Sequence, residues 1–162
     1  YQRFRGLWRN IEIMIKVLFI CHGNICRSPM AEYIMKDLVK KEGRTKDFHI
    51  ESRAVSYEEY GNPVYPPVKK ILNSLGINCD EKHATVLTKE DYKKYDYLIA
   101  MDKSNLYGIQ KIIGEDTLHK VHLLLEYTGE NRDVSDPWYT RDFEKTYEDI
   151  LRGCKAILNK IG

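Results

Sequence analysis

An almost continuous run of hydrophobic residues, Met-Ile-Lys-Val-Leu-Phe-Ile-Cys, occupies residues 14–21. A run of this kind is typical of a central parallel strand that is covered on both faces. Three further apolar runs follow at residues 48–52, 97–101 and 121–125. Because these runs are short and mostly rich in strand-forming residues, the pattern predicts four strands.

A helix is predicted directly after the first strand. Met30, Ile34 and Leu38 recur every fourth position, which places them on one helical face. Ser28 and Pro29 are residue types preferred at the N-cap and at the first helical position. We therefore predict a helix capped by Ser28.

Start signals also mark the later helices. Pro67 opens a predicted helix that ends near Gly76, and Thr88, Ser104 and Thr140 are candidate N-caps for three more. The last helix has the clearest apolar stripe. Its members are Phe143, Tyr147, Ile150, Leu151, Cys154, Ile157, Leu158 and Ile161.

The alternation of strands and helices predicts the α/β class, with a four-stranded parallel sheet and helices on both faces. We expect residues 14–162 to form a single domain and residues 1–13 to be an N-terminal extension. Sheets of this class bind ligands at the carboxyl ends of their strands. The loop after the first strand is therefore the predicted site.

Composition and charge limit the classes of partner that the sequence predicts. With 26 Lys and Arg against 24 Asp and Glu, the net charge of +2 gives no reason to expect nucleic acid. No apolar run approaches the roughly 20 residues that span a bilayer, so no membrane partner is expected. The four cysteines lack the spacing of a disulfide framework, which predicts a reducing, cytoplasmic location.

The loop at residues 21–29 contains the candidate chemistry. Between a strand and a helix N-terminus, its backbone N–H groups are able to converge on an anion. Gly23 and Asn24 are residue types that tolerate positive φ, which an inward-curling loop requires. Cys21 is the predicted nucleophile, Arg27 offers a planar fork of donors to a phosphoryl group, and Ser28 is able to donate to the Cys21 sulfur.

A second loop supplies a candidate acid. Asp136 precedes Pro137 and the aromatic residues Trp138 and Tyr139. A carboxyl group there could protonate a departing phenol and later activate water. This scheme requires neither a metal ion nor a cofactor.

These motifs resemble the low-molecular-weight protein tyrosine phosphatases from about Met14 to the C-terminus. The loop at residues 21–29, with Ala31 and Glu32 after it, is similar to that family's loop almost letter for letter. Further matches lie at residues 52–55, 76–78, 88–91, 101–105 and 136–137. The resemblance implies a four-stranded parallel sheet with helices on both sides and hydrolysis of phosphotyrosine through a phosphocysteine.

The resemblance also implies residue roles. Cys21 is the nucleophile, Arg27 the phosphate clamp and Asp136 the acid and base. The phosphate-binding loop comprises His22, Gly23, Asn24, Ile25, Cys26, Arg27 and Ser28.

Other roles implied by the resemblance lie around that loop. Ser52 belongs with Asn24 and Ser28 to a supporting polar network, and Asp102 orients its neighbours. Trp138, Tyr139 and Tyr57 line the cleft for a phosphotyrosine ring. Cys26 forms a reversible disulfide with Cys21, or is simply a packed thiol.

The sequence departs from the family pattern at residues 82–85, Lys-His-Ala-Thr, where many relatives have a His followed by Arg, Ala and Arg. The sequence therefore does not predict that a histidine supports the loop. Trp138 replaces a commoner tyrosine, which should alter ring stacking more than chemistry.

Several other functions fit parts of this pattern. Arsenate reductases of the same fold need two further redox cysteines, whereas Cys79 stands alone. Protein-arginine phosphatases usually have Thr where this chain has Ile25, and a phosphocarrier or a phosphopeptide-binding module would not need Asp136. Zinc would require two ligands beyond Cys21 and Cys26 at a matching spacing. The expected partners are phosphotyrosine-bearing proteins or small aryl phosphates.

Overall fold

The computed structural model describes residues 14–162, so the expectation for residues 1–13 lies outside the described part of the chain. Four parallel strands form one sheet in the order β2-β1-β3-β4. The strands are β1 (Ile15–Cys21), β2 (Phe48–Ala54), β3 (Tyr97–Ala100) and β4 (Val121–Leu123). The four predicted strands are confirmed, with ends that differ by one or two residues.

Apart from Lys16, the central strand β1 is apolar because both of its faces are covered. Val17 and Phe19 point to one hydrophobic cluster, and Leu18 and Ile20 point to a second cluster on the opposite face. All four side chains are fully buried. Alternation of side chains along a strand explains why both layers of helices need apolar residues from this one segment.

Six α-helices lie within residues 14–162. They are α1 (Arg27–Lys41), α2 (Pro66–Ser74), α3 (Lys89–Lys94), α4 (Lys103–Ile113), α5 (Pro137–Thr140) and α6 (Phe143–Ile161). Helices α1, α2 and α6 contribute to the first cluster, and α4 contributes Ile109 to the second. Short 3₁₀ turns occupy Thr45–Asp47 and Leu124–Thr128. Within residues 14–162, no helix is long and apolar enough to cross a bilayer.

Three of the predicted helix caps are wrong. Helix α1 begins at Arg27, so Ser28 lies inside it. Asp102 rather than Ser104 caps α4, and Asp142 rather than Thr140 caps α6. In the last two cases the carboxylate lies two residues from the predicted cap, and it accepts a hydrogen bond from a backbone N–H of the first helical turn.

Thr88 is confirmed as an N-cap, because its side chain accepts from the backbone N–H of Asp91. The Asp91 carboxylate accepts in return from the backbone of Thr88, and the two contacts form a capping box. The apolar stripe of α6 also packs on the core as predicted.

The strand order places the carboxyl end of β1 at a topological switch point. The chain leaves β1 for β2 on one side and later returns to β3 on the other side. The connections above β1 diverge at such a point and leave a crevice. Cys21, the last residue of β1, lies at the base of that crevice.

Candidate active site

The thiol of Cys21 is almost fully buried beneath the loop that joins β1 to α1. The backbone N–H of Ser28 donates to the Cys21 Sγ at 3.4 Å, and the Ser28 hydroxyl oxygen lies 3.0 Å from the same sulfur. Ser28 is in the first turn of α1, where backbone N–H groups and the helix dipole favour negative charge. The sulfur is therefore surrounded by hydrogen-bonding groups of the first helical turn.

Asn24 holds the loop in its curled shape. It has a positive φ of 59°, and its side-chain amide donates to the Ser28 Oγ at 2.7 Å and to the Ser52 Oγ at 2.9 Å. Its Oδ1 accepts from the backbone N–H of Thr85 at 3.1 Å. The structure thus brings together the three residues of the expected polar network, Asn24, Ser28 and Ser52.

Gly23 has a different role from the one expected of it. Its φ is not positive. Instead, a Cβ atom at this position would lie 3.2 Å from the Cγ of Glu59. A glycine at position 23 therefore allows the segment after β2 to approach the loop closely.

The guanidinium of Arg27 is buried and anchored along one edge. Its Nη1 donates to the Asp102 Oδ2 at 2.7 Å and to the Val134 backbone oxygen at 2.9 Å. Burial raises the pKa of Asp102, but the charge of Arg27 and the hydroxyl of Ser104 outweigh it and hold that pKa below its ordinary value. Asp102 therefore stays ionised and fixes the direction of the Arg27 fork.

Asp136 lies opposite the nucleophile, on the loop that precedes α5. Its Oδ2 is 3.5 Å from the Arg27 Nη2, and its Oδ1 accepts from the backbone N–H of Trp138 at 3.0 Å. Pro137 occupies the first position of α5, which needs no backbone donor and restricts the loop. The carboxyl group is thus held at the mouth of the crevice.

The crevice above Cys21 has an aromatic side and an acidic side. Trp138 and Tyr139 contribute the first, and Glu58 and Glu59 contribute the second. The complete lining is Cys21, His22, Gly23, Ile25, Cys26, Arg27, Glu58, Glu59, Asp136, Trp138 and Tyr139.

Two of the predicted site residues have unexpected surroundings. Tyr57 does not belong to the crevice lining, is 71% exposed and has its ring against Tyr60. His22 lies at the rim, where its Nε2 is 3.3 Å from the Glu58 carboxylate. The sequence reasoning missed both glutamates, since only the tertiary structure shows which side of residues 57–60 faces the loop.

Cys26 lies next to the nucleophile and is buried. Burial, together with negative charge on Cys21 and Asp136, raises the pKa of the Cys26 thiol well above its ordinary value. In this structure Cys26 and Cys21 are free thiols.

Within residues 14–162, no group of three or more His, Cys, Asp or Glu side chains is arranged to hold a metal ion.

A buried ionic group lies behind the loop, and sequence reasoning missed it. Glu32 accepts from the Ser52 hydroxyl at 2.5 Å and from Lys36 at 2.6 Å. The Nζ of Lys82 is 3.6 Å from Glu32 and donates to the Ser52 backbone oxygen at 3.0 Å. The sequence did contain one indication that Glu32 is buried, because it lies one helical turn after Ser28 and therefore on the same side of α1.

Comparison with known proteins identifies the family. A family model described as low molecular weight phosphotyrosine protein phosphatase matches residues 16–162. A low molecular weight protein-tyrosine-phosphatase of Bacillus subtilis, YfkJ, is 37% identical over 150 residues, which cover 91% of this chain and 96% of the relative. The rat phosphatase of this family is 38% identical over 156 residues, which cover 89% and 94%. The chain belongs to the low-molecular-weight phosphotyrosine protein phosphatases.

Solved structures agree with this assignment. The crystal structure of YfkJ superimposes with a TM-score of 0.88 at 37% identity and covers 91% of this chain and 94% of its own. A Drosophila arginine phosphatase superimposes with a TM-score of 0.83 at 30% identity and covers 91% and 98%. The relatives found by sequence are named as protein tyrosine phosphatases, so the expected class of phosphoric monoester hydrolase is confirmed.

Proposed function

We propose that Cys21, Arg27 and Asp136 carry out phosphotyrosine hydrolysis in this chain. The observation that carries the proposal is their convergence at the end of β1. The Cys21 sulfur accepts a hydrogen bond from the backbone N–H of Ser28 in the first turn of α1, while the Arg27 guanidinium lies between Asp102 and the Asp136 carboxyl group. A nucleophile, an anion clamp and an acid thus share one crevice.

The first chemical step transfers the phosphoryl group to sulfur. The Cys21 thiolate attacks phosphorus, a P–S bond forms, and the bond to the tyrosine oxygen breaks. A protonated Asp136 donates its proton to that oxygen, so the leaving group departs as a neutral phenol.

Arg27 supports this transfer through the edge that the protein leaves available. Its Nη1 is engaged by Asp102 and Val134, and within residues 14–162 its Nε has no hydrogen-bond partner. Its Nη2 contacts Asp136 only at 3.5 Å, so the Nε and Nη2 edge offers two parallel donors to the phosphoryl oxygens.

The second step restores the enzyme. Asp136, now a carboxylate, removes a proton from water, and the resulting oxygen nucleophile attacks phosphorus. The P–S bond breaks, inorganic phosphate forms and Cys21 leaves as a thiolate. The Ser28 hydroxyl, 3.0 Å from this sulfur, stabilises the charge that returns to it.

The walls of the crevice suit an aromatic leaving group. Trp138 is half-exposed and its ring centroid lies 5.1 Å from that of Tyr65, so Tyr65 holds it against the crevice. Tyr139 is mostly exposed beside it. We propose that these two rings contact the phosphotyrosine ring, whereas Tyr57 contacts residues further out on the substrate protein.

The substrates that follow from this site are phosphotyrosine-bearing proteins and small aryl phosphates. We also propose a cytoplasmic location. The four free cysteines support it, because oxidising compartments favour disulfides and over-oxidise reactive thiols.

The proposed function is tested with three substrates: an aryl phosphate, a phosphotyrosine peptide and a phosphoarginine peptide of the same sequence. Wild type is expected to release phosphate from the first two and to favour phosphotyrosine over phosphoarginine. Cys21→Ser should abolish turnover, because an alcohol at this site is a far weaker nucleophile than a thiolate. Rapid quenching of wild type in denaturant at alkaline pH, where a phosphocysteine is stable, should trap one phosphoryl group on the peptide that contains Cys21.

Cys79→Ser provides the matched control, since Cys79 is also buried but lies outside the crevice. It should retain turnover and the trapped intermediate. Faster hydrolysis of the phosphoarginine peptide would contradict the proposed substrate class and favour phosphoarginine. A trapped intermediate that never releases phosphate to water would indicate a phosphocarrier.

A further inference from the structure

The residue that ends helix α5 has an unusual backbone conformation for its type. Arg141 has a φ of 61° and a ψ of 9°, the left-handed conformation in which many helices end. Glycine adopts this conformation without steric cost, whereas a residue with a Cβ atom is disfavoured there. Such a residue persists where its surroundings hold it in place. The contacts of the Arg141 side chain are therefore expected to account for an arginine at this position.

Aromatic rings hold the guanidinium of Arg141. Its Cζ lies 5.8 Å from the centroid of the Tyr65 ring and 5.3 Å from that of the Phe143 ring. Its two terminal nitrogens each donate to the Tyr65 hydroxyl oxygen at 3.4 Å. Tyr65 is itself anchored, because its backbone N–H donates to the backbone oxygen of Ile25 at 2.9 Å. A long and flexible side chain is thus held in one place before a substrate binds, which lowers the entropic cost of binding.

The positive charge of Arg141 is not paired with a carboxylate of the described residues. Within residues 14–162, the only hydrogen-bond acceptor of its guanidinium is the Tyr65 hydroxyl. The neighbouring carboxylate of Asp142 accepts instead from the backbone N–H of Lys145 at 3.0 Å. A guanidinium has five N–H donors, and Arg141 is exposed. Several of its donors therefore remain available to a carboxylate that approaches from solvent.

Arg141 lies next to the aromatic side of the crevice. Tyr65 contacts both the Arg141 guanidinium and the ring of Trp138, whose centroid is 5.1 Å away. Burial raises the pKa of Cys26, which lines the crevice, whereas the charge of Arg141 opposes that rise. The crevice therefore has positive charge beside its aromatic side and negative charge on its acidic side.

We propose that Arg141 is a specificity-determining residue that binds an acidic side chain of the substrate protein on one flank of the phosphotyrosine. This inference rests on the proposed function of the crevice. Its substrate class is a phosphotyrosine segment of polarised charge, with acidic residues on the flank that crosses the aromatic side and basic residues on the flank that crosses Glu58 and Glu59. An arginine suits the first flank, because its planar fork binds a carboxylate through two parallel N–H groups.

Four phosphotyrosine peptides test this inference. For each flank, one peptide has glutamates and one has glutamines on that flank, while the other flank stays neutral. The ratio of kcat/KM between the two peptides isolates the effect of flank charge, because changes in the shared chemistry cancel. We expect wild type to favour glutamate on one flank and to disfavour it on the other, each by about two- to fivefold, the range of exposed charge pairs.

Arg141→Gly removes the side chain without straining the backbone, since glycine adopts this conformation freely. It should abolish the preference for glutamate on the favoured flank and leave the ratio on the other flank at the wild-type value. Arg141→Lys should retain a weaker preference, because lysine keeps the charge but loses the fork. Glu58→Gln with Glu59→Gln should produce the reverse pattern, in which only the disfavoured flank changes.

Lys155→Gln is the matched control, since it removes one positive charge from an exposed position of α6. It should leave both ratios unchanged. If thermal melting shows that Arg141→Gly does not fold, Arg141→Asn replaces it, because asparagine is neutral and also tolerates the left-handed conformation. The same outcome is expected of that variant.

A wild type that favours glutamate on neither flank would overturn the inference. A preference that survives the loss of the Arg141 side chain, or that disappears equally in Lys155→Gln, would also overturn it. Absence of turnover of all four peptides by wild type would instead contradict the proposed function, so the two failures are distinguishable.

Discussion

At the scale of single residues, the site depends on side chains that specific hydrogen bonds hold in place. Asp102 engages one edge of the Arg27 guanidinium, and the backbone of Trp138 holds one oxygen of Asp136. Each contact leaves a defined atom directed at the crevice. A substitution that preserves size but changes hydrogen bonding therefore tests one chemical role at a time.

Asp136→Asn is expected to lower kcat by about 10²- to 10⁴-fold with phenyl phosphate, because general acid catalysis typically contributes that factor. The loss should be smaller with p-nitrophenyl phosphate, whose weakly basic phenolate departs without a proton. Steady-state kinetics with both substrates measure the difference. Asp142→Asn is the control, because asparagine still caps α6, and equal losses on both substrates would contradict the acid role.

At the scale of elements, the segment between β2 and α2 forms the acidic side of the crevice. Glu58 pairs with His22, and Glu59 accepts from the side chain of Asn62. Within the described residues, neither glutamate forms an ion pair with Lys or Arg. This segment thus presents negative charge where residues next to a phosphotyrosine would pass.

We therefore expect faster hydrolysis of a phosphotyrosine peptide with flanking lysines than of one with flanking glutamates. Glu58→Gln with Glu59→Gln should reduce that ratio about two- to fivefold, the effect of exposed charge pairs, and added salt should reduce it in wild type. Peptide kinetics at two salt concentrations provide the measurement. Glu115→Gln, at an exposed site beyond α4, should keep the wild-type ratio.

Helix α6 packs closely against the 3₁₀ turn that follows β4. A Cβ atom at Gly153 would lie 2.5 Å from the Cγ of Leu124, and Leu124 is fully buried. Gly153→Ala should therefore destabilise the protein by about 1–3 kcal/mol through overpacking. Chemical denaturation measures this loss. Lys155→Ala, at an exposed position of the same helix, should cost much less.

At the scale of the whole molecule, an ion-pair network links α6 to residues 130–132, which lie shortly before Asp136 in the chain. Asp149 of α6 accepts from both Arg132 and Arg152, and the two arginines also contact Glu130. Arg132 lies two residues before Val134, whose oxygen accepts from Arg27. The network therefore stabilises the segment that leads into the active site.

This network predicts how stability depends on pH. Burial raises the pKa of Asp149, but Arg132 and Arg152 outweigh it and lower the net value, and the Arg152 hydrogen bond lowers the pKa of Glu130 to about 2. Carboxylates with a lower pKa in the folded state stabilise it above their ordinary pKa. That contribution is lost as the pH falls through the folded value.

Unfolding free energies measured between about pH 5 and pH 2 should therefore decrease with acidity. Asp149→Asn should cost about 1–2 kcal/mol at neutral pH, less than a fully buried pair because both arginines are partly exposed. It should also flatten the pH dependence. An unchanged slope in this variant would contradict the assignment to Asp149.

The sequence by itself determined the features that depend on short-range order. The period of the apolar residues specified β1 and α6, and adjacency in the chain placed Cys21, Arg27 and Ser28 in one loop. Those inferences need only local geometry. Local reasoning failed at Ser104 and Thr140, because a carboxylate two residues away in each case competed successfully for the same backbone donors.

The tertiary structure decided which distant residues complete the site. Asp102, Ser52 and Asp136 reach the loop because β1 lies between β2 and β3, and that strand order brings the segments after each strand together. The pairing of Glu32 with Lys82 became visible only there, since it depends on α1 packing beside β2 and the segment that follows α2. A buried charge needs a partner in space rather than in sequence, so no local pattern could reveal the pair.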